Sequence, residues 1–474
     1  MSAIWNTYRI EDIADKITIG PFGSRMKSDT YVESGVPVIR GTNLTGSKKF
    51  SGDWVFITEK LAKQLENCCV SNGDLVFPHR GSIGEVGLVD NQFPQYMMSS
   101  SLMKLRCNPN IVDSEFIYYF FKSHQGRYEL LKNASQVGTP GIGQPLTSLK
   151  NIEIKLPSLR EQRKIVKILS DLDEKIHLNN QINQTLESIA QALFKSWFID
   201  FDPVRAKIAA KQEGKDPELA AMCVISGKSE AELRQMAKED FAELQATAAL
   251  FPDELVESEL GEVPKGWEVK RFEDLLDTLE SGTRPKGGVS GISEGMPSVG
   301  AENILGLGIY NYGKEKFVPY SFFEKMKKGK VQDYDVLLYK DGGKPGEFKP
   351  RVSMFGKGFP YEKFSINEHV FRIRSNKLGQ FFLYFKIKSP DILSQLASKG
   401  AKAAIPGINQ NDVKSLDIIY PNNEVLDKFN FLVLNYVDLI LKNSVESKCL
   451  AKLRDGLLPK LLSGEVALGG VIDA

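Results

Sequence analysis

Trp5-Asn-Thr-Tyr-Arg-Ile-Glu-Asp-Ile-Ala-Asp15 and Trp267-Glu-Val-Lys-Arg-Phe-Glu-Asp-Leu-Leu-Asp277 share Trp, Arg, Glu, Asp and Asp at matching places, 262 residues apart. A repeated stretch implies a repeated structural unit, so this match governs the reading of the rest. It continues in order. Gly35-Val-Pro37 and Asn43 meet Gly295-Met-Pro297 and Asn303, and Asp74-Leu-Val-Phe-Pro-His-Arg-Gly81 meets Asp335-Val-Leu-Leu-Tyr-Lys-Asp-Gly342. Leu102-Met-Lys-Leu-Arg-Cys-Asn108 meets Val370-Phe-Arg-Ile-Arg-Ser-Asn376, and Pro140-Gly-Ile-Gly-Gln144 meets Pro406-Gly-Ile-Asn-Gln410. The chain is an internal duplication.

Within each copy, β-branched and aromatic runs between Gly, Asn and Ser turns predict strands, among them Gly35–Arg40, Asp74–Phe77 and Leu102–Arg106. Aromatic residues at helical spacing predict helices over Ser114–Lys132 and Leu378–Lys399. Both copies then end in a long heptad segment. Steps of four and three from Ile165 reach Leu169, Leu172, Ile176, Asn179, Asn183, Leu186, Ala190, Leu193 and Trp197. From Phe429 the same steps reach Val433, Tyr436, Ile440, Asn443, Ser447, Leu450, Arg454, Leu457 and Leu461, each 264 residues after its counterpart. An antiparallel pair would bring the polar midpoints Asn179, Asn183, Asn443 and Ser447 together, where buried amides lower stability but fix register. The alternative is that these four face solvent.

At 474 residues the chain exceeds one hydrophobic core. Its 42% hydrophobic content contains no apolar run near the roughly 20 residues that span a bilayer. Met1–Ile10 lacks the apolar core of a signal peptide, so the expected location is cytoplasmic. Cys68, Cys69, Cys107, Cys223 and Cys449 form no C-x-x-C pair, and the four histidines are scattered, which argues against a disulfide framework or a metal site. The net charge of +1 conceals two unlike regions. Residues 211–262 hold 5 basic and 13 acidic side chains, a net of -8 that leaves +9 for the remainder.

Catalytic signatures are weak. Gly227-Lys228-Ser229 mimics the end of a phosphate-binding loop, but Met222 stands where its opening glycine belongs. Gly306-Leu-Gly308 is followed by Asn311 instead of a third dinucleotide-binding glycine. Pro252-Asp253 with Glu268-Val-Lys270 is a short nuclease-like string beside an acidic linker. No catalytic residue is assigned.

Cations point instead to nucleic acid, since phosphates are neutralised by Lys and Arg and bases are read by forked or amide side chains. Residues 265–422 hold 25 basic and 18 acidic residues, and residues 1–158 hold 17 and 15. Arg25 and Lys27 lie in one glycine-bearing loop, with Thr283, Arg284 and Lys286 in its counterpart. Arg40 and Asn43 follow the next strand, and Asn303 matches Asn43. His79, Arg80 and Ser82 follow the strand from Asp74, while Lys340 and Lys344 follow the one from Asp335. Charged loops are commonly solvated surface. Repetition at equivalent places with different side chains favours two readers on one scaffold.

Three further stretches carry a family resemblance: Pro140-Gly-Ile-Gly-Gln144, Leu149-Lys-Asn-Ile-Glu-Ile-Lys-Leu-Pro157, and Glu161-Gln-Arg-Lys-Ile-Val-Lys-Ile-Leu-Ser-Asp-Leu-Asp173. With Phe201-Asp-Pro-Val-Arg205, Leu250-Phe-Pro-Asp253 and Ser258-Glu-Leu-Gly-Glu-Val-Pro-Lys-Gly-Trp267, the chain resembles the specificity subunits of Type I restriction-modification systems. Its second junction departs from the pattern, with Glu424-Val-Leu-Asp replacing Glu161-Gln-Arg-Lys. The resemblance implies an α+β architecture of two mixed α/β target-recognition domains separated by two long helices, an antiparallel coiled coil with pseudo-two-fold symmetry. The expected boundaries are 1–158 for the first recognition domain, 159–198 for the first helix, 199–264 for an acidic connector, 265–422 for the second domain, 423–465 for the second helix and 466–474 for a tail. It also implies a split double-stranded DNA target with an unread spacer and two methyltransferase subunits gripping the helices. Restriction and motor subunits complete the complex. S-adenosylmethionine, ATP and magnesium would belong to those partners, and this chain would bind no cofactor. A coiled-coil scaffold, or the recognition part of a single-chain restriction-methylation enzyme, are the alternatives.

Overall fold

A computed structural model describes residues 5–22, 25–44, 46, 48–135, 139–344, 346–401 and 406–466. The chain divides into two compact units, 1–176 with 449–474, and 177–448. In the first unit, Ala14–Ile19, Leu102–Cys107, Leu75–Pro78 and Gly87–Leu88 form an antiparallel four-stranded sheet in that order. A second sheet runs Val55–Ile57, Val36–Ile39, Tyr96–Met98, Cys69–Val70, with Val38 opposite Met97 in a parallel pair. Asn6–Arg9 pairs with Glu153–Leu156 immediately before the first long helix begins, so the repeat's opening strand anchors that helix's start.

The second unit repeats this plan. Thr278–Ser281, Val370–Arg374, Val336–Tyr339 and Val352–Met354 make the four-stranded sheet, and Met296–Val299 lies between Phe317–Val318 and a parallel Ser365–Ile366. Glu268–Arg271 pairs with Asp417–Tyr420. The Glu268 and Lys270 of the nuclease-like string are therefore strand residues. They pair with each other at 2.8 Å, and Asp253 pairs with Lys211.

The predicted helices are each two. Ser114–Lys122 gives way to His124–Leu131 at Ser123, whose Oγ accepts from Gly126 N at 3.2 Å as the new N-cap. Gln380–Lys388 stops before Pro390, which occupies the first turn of Pro390–Gly400. Each first member is largely buried, with residues 116–121 and 381–387 all inside, so aromatic residues occupy most of its circumference.

The long helices cover Leu159–Phe198 and Asn423–Leu462. Every seam position except the polar ones is apolar or, at Arg454, an amphipathic stem, and all are buried or half-buried. In the first unit Gln162, the glutamine of the resemblance motif, is buried, accepting from Asp113 N at 2.9 Å and donating to Pro157 O at 2.9 Å. The second copy lacks that glutamine. There Asn430 accepts from Phe381 N and Phe382 N at 3.2 Å and donates to Leu378 O, fastening the equivalent recognition helix one turn later.

The acidic stretch is a folded insert, not a linker. Asp202–Gln212, Pro217–Ser226, Glu230–Leu233 and Lys238–Ala249 are helices around Ala221, Met222, Leu233 and Ala248. Gly227, with φ 67°, ends one helix, and Ser229 caps the next by exchanging bonds with Glu232, so the Gly-Lys-Ser string is helix punctuation. Trp197 meets Phe251 at 4.9 Å, and Phe198 meets Phe382 and Phe429 at 4.9 and 5.1 Å. These rings join the insert, the long helices and the second recognition domain in one core. No helix among the described residues is long and apolar enough to cross a membrane.

Candidate nucleic-acid interface

Each copy gathers its exposed polar loops at the ends of the same strands. In the first, Gly81 N donates to Pro140 O at 2.9 Å, Ile142 N donates to His79 O at 2.9 Å, and Arg80 bridges Gly141. In the second, Gly342 N donates to Pro406 O at 2.8 Å, Ile408 N to Lys340 O at 2.6 Å, and Asp341 bridges Gly407. The Pro-Gly-Ile motif is thus a clamp on the loop after the central strand. Gly81 and Gly342 turn at φ 79° and 113°, a region that L side chains avoid, which accounts for glycine at both places.

Outward from this clamp stand Arg80 and Ser82 in the first copy and the exposed Lys344 in the second. The neighbouring loop carries Arg25 and Lys27, both exposed, or Thr283, Arg284 and Lys286. Its base is fixed by close packing. A Cβ on Gly20 would lie 2.0 Å from Ser99 O, and one on Gly282 would lie 1.8 Å from Ile366 O.

Not every residue chosen by type faces outward. Asn43 is fully buried, accepts from Arg40 N at 3.0 Å, and donates to Ser51 O and Asp53 O at 3.1 and 3.2 Å. Arg40 reaches the same Asp53 O. Asn303 repeats the arrangement, with Gly300 N at 3.2 Å and Asn311 O at 3.0 Å. The two asparagines close the loops on which exposed residues stand; they are loop-forming side chains, unlike the base-reading amides their type suggested. His79 is also buried, its Nε2 3.1 Å from Ser100 O, and burial pushes its pKa below the ordinary 6.5. A carbonyl only accepts, so Nε2 must carry the proton.

Sequence reading missed a third loop: Ser99–Ser101 in the first copy and Asn367–His369 in the second. His79 N donates to Ser101 O, and Lys340 N donates to His369 O. Asp341 Oδ1 lies 2.6 Å from His369 Nδ1, Glu368 Oε1 lies 3.3 Å from His369 Nε2, and Arg284 lies 2.8 Å from Glu368. The second copy's candidates Arg284 and Lys340 thereby share one surface. The available signal was a polar triplet directly preceding the matched strands from Leu102 and Val370.

Within the second unit the seam polar residues meet. Asn179 Nδ2 donates to Glu446 Oε2 at 2.8 Å and Ser447 Oγ at 3.3 Å. Asn183 Nδ2 donates to Ser444 Oγ and Ile440 O at 3.3 Å, and Asn443 Nδ2 donates to Asn183 Oδ1 at 2.9 Å. Rising numbers on one helix meet falling numbers on the other, so the pair is antiparallel there. Asn179 is fully buried, which excludes the solvent-facing reading for it.

Known proteins show the same duplication. The family described as Type I restriction modification DNA specificity domain matches the chain twice, over residues 4–188 and 264–446. The HindI Type I restriction enzyme specificity subunit of Haemophilus influenzae is 33% identical over 428 residues, 84% of this chain and 87% of that protein. The MjaIX specificity subunit of Methanocaldococcus jannaschii is 26% identical over 468 residues, 98% of this chain and 93% of that one. The crystal structure of a Type I restriction-modification S subunit from M. genitalium has TM-score 0.51 at 16% identity, covering 97% of this chain and 96% of that chain, and shares the fold.

Proposed function

This chain belongs to the Type I restriction-modification DNA specificity family, and we propose that it reads a bipartite double-stranded DNA target, one block with each copy, leaving an unread spacer between. The observation that carries this reading is the repeated clamp, which grips the loop after the central strand through the same two backbone hydrogen bonds in each unit but offers Arg80 and Ser82 in one and Lys340, Asp341 and Lys344 in the other. One scaffold with altered tips suits two readers of different sequences. The chain itself transfers no methyl group and cuts no strand. Two methyltransferase subunits, which would bring S-adenosylmethionine for adenine methylation, and ATP- and magnesium-dependent motor and nuclease subunits are the partners it would position.

The test is modular exchange. Residues 1–158 are replaced by the recognition domain of a relative, and the methylated motif is mapped by methylome sequencing in a host carrying the intact system. One block should change and the other persist. Alteration of both blocks, or of neither, defeats the assignment of one reader per copy.

A further inference from the structure

Arg284 and Glu368 stand at the open edge of the second copy, 37% and 36% exposed. Glu368 Oε1 faces Arg284 Nη2 at 2.8 Å and His369 Nε2 at 3.3 Å, while Oε2 turns inward and is buried. Behind it, His369 is held by Asp341 through its ring and by Asn367 Oδ1 at its backbone N–H, 2.9 Å away. The carboxylate is therefore fixed from behind and presents one oxygen to the guanidinium. Arg284 makes no other ion pair or hydrogen bond among the described residues.

The first copy is built differently. Ser100 occupies the place of Glu368, and Arg25 and Arg80 are exposed without a carboxylate partner among the described residues. An unpaired cation gains most from phosphate, because neutralising it releases counterions. A guanidinium already beside a carboxylate brings no net charge, and that carboxylate repels phosphate. What remains useful is a planar fork held in one orientation, which matches the O6 and N7 acceptors of guanine.

We propose that Arg284 reads a guanine in the block assigned to the second copy, and that Glu368 is the positioning residue that orients the fork and withholds it from the phosphate backbone. The inference rests on the reading that the second copy contacts DNA. The full chain, co-expressed with its methyltransferase partner, is titrated at several salt concentrations against duplexes bearing the mapped motif and its single-base-pair variants. R284A should weaken the parent duplex roughly 5- to 150-fold more than it weakens duplexes already lacking one G·C pair, which lose only what the bared Glu368 carboxylate takes from all of them. R284K, which keeps the charge but not the fork, should lose the same discrimination. E368Q should lower discrimination at that pair and steepen the slope of log affinity against log salt by about 0.9, as the freed guanidinium engages a phosphate. A merely structural Glu368 would not steepen it.

Equal weakening of all duplexes by R284A, with a shallower slope, overturns the proposal. So does an R284K protein that discriminates like the parent, and this exposed, charge-conserving change stays readable if E368Q misfolds. Exchange of the whole second copy separates the two failures. If it leaves the motif unchanged, the bipartite reading falls; if it changes one block that is nevertheless indifferent to Arg284, only this inference falls.

Discussion

Asp335 has no exposed surface, and its two oxygens accept from Arg372, from Arg374 at 2.6 Å and from Gln332 N at 2.7 Å. Arg372 also reaches Glu280 at 2.9 Å, so the sheet of the second copy carries a buried ionic knot. Asp74 holds the same post in the first copy, accepting from Arg106 at 2.7 Å through both oxygens and from Ser71 N at 3.0 Å. There the second cation is Lys104, whose ammonium is pushed below its usual range by burial. Removing one member of such a set strands the others away from water. Asp335→Asn should therefore cost about 3 to 5 kcal/mol in urea unfolding, against less than about 1 kcal/mol for neutralising an exposed pair such as Lys349–Glu347. Similar small losses for both would show that the knot is solvated. The residues were legible as repeated letters, Asp74 with Lys104 and Arg106 against Asp335 with Arg372 and Arg374. Their pairing was not, because it joins residues 32 to 39 positions apart on different strands and leaves no local periodicity.

At the scale of elements, the seam made the long helices plain, while the recognition helices were drawn too long. A heptad stripe is a local pattern that survives for 40 residues, whereas a helix break at Ser123 or Ser389 depends on one cap or one proline inside an aromatic run. The insert after Phe201 was hidden for a related reason: its acidic surface dominates the composition, and its core of Ala221, Met222, Leu233 and Ala248 is small. The seam amides give a direct test of what buried polar residues do in a helix pair. Asn443→Leu removes the donor to Asn183 Oδ1 and leaves a half-buried acceptor unpaired, which should cost about 1 to 3 kcal/mol. Adding Asn183→Leu removes the stranded group, so the double variant should recover most of that loss or exceed the parent. Chemical denaturation of the four proteins of this cycle checks it. Additive losses would show that the two amides do not act as a pair.

For the whole molecule, the duplication was the most legible fact in the sequence, since matched strings kept their order and both units then repeated one sheet plan. What each string does was less legible: Pro-Gly-Ile marks a clamp only once the loop it grips is seen. If the long helices act as a ruler between two readers, the spacer should follow their length. Leu159–Phe198 holds 40 residues, about 60 Å at 1.5 Å per residue, more than the 34 to 36 Å between successive major-groove faces. Lengthening near Ser196 is a poor test, because Trp197 and Phe198 are buried against Phe251, Phe382 and Phe429 and that core would fail first. Four residues inserted after Ile176 and four after Lys448 leave intact both the Asn179–Ser447 contacts and the Asp173–Arg454 pair. Each insertion adds about 6 Å and turns the helix about 40° past one full revolution, a stutter that a coiled coil tolerates. The unread gap should then grow by one or two base pairs, at roughly 3.4 Å each, with both blocks unchanged. Two-residue insertions at the same places turn the seam by about 200° and should abolish methylation. Methylome sequencing of hosts carrying the parent and both variants decides the matter: an unchanged gap in an active four-residue variant, or a contiguous motif in the parent, would mean that the helices do not set the spacing.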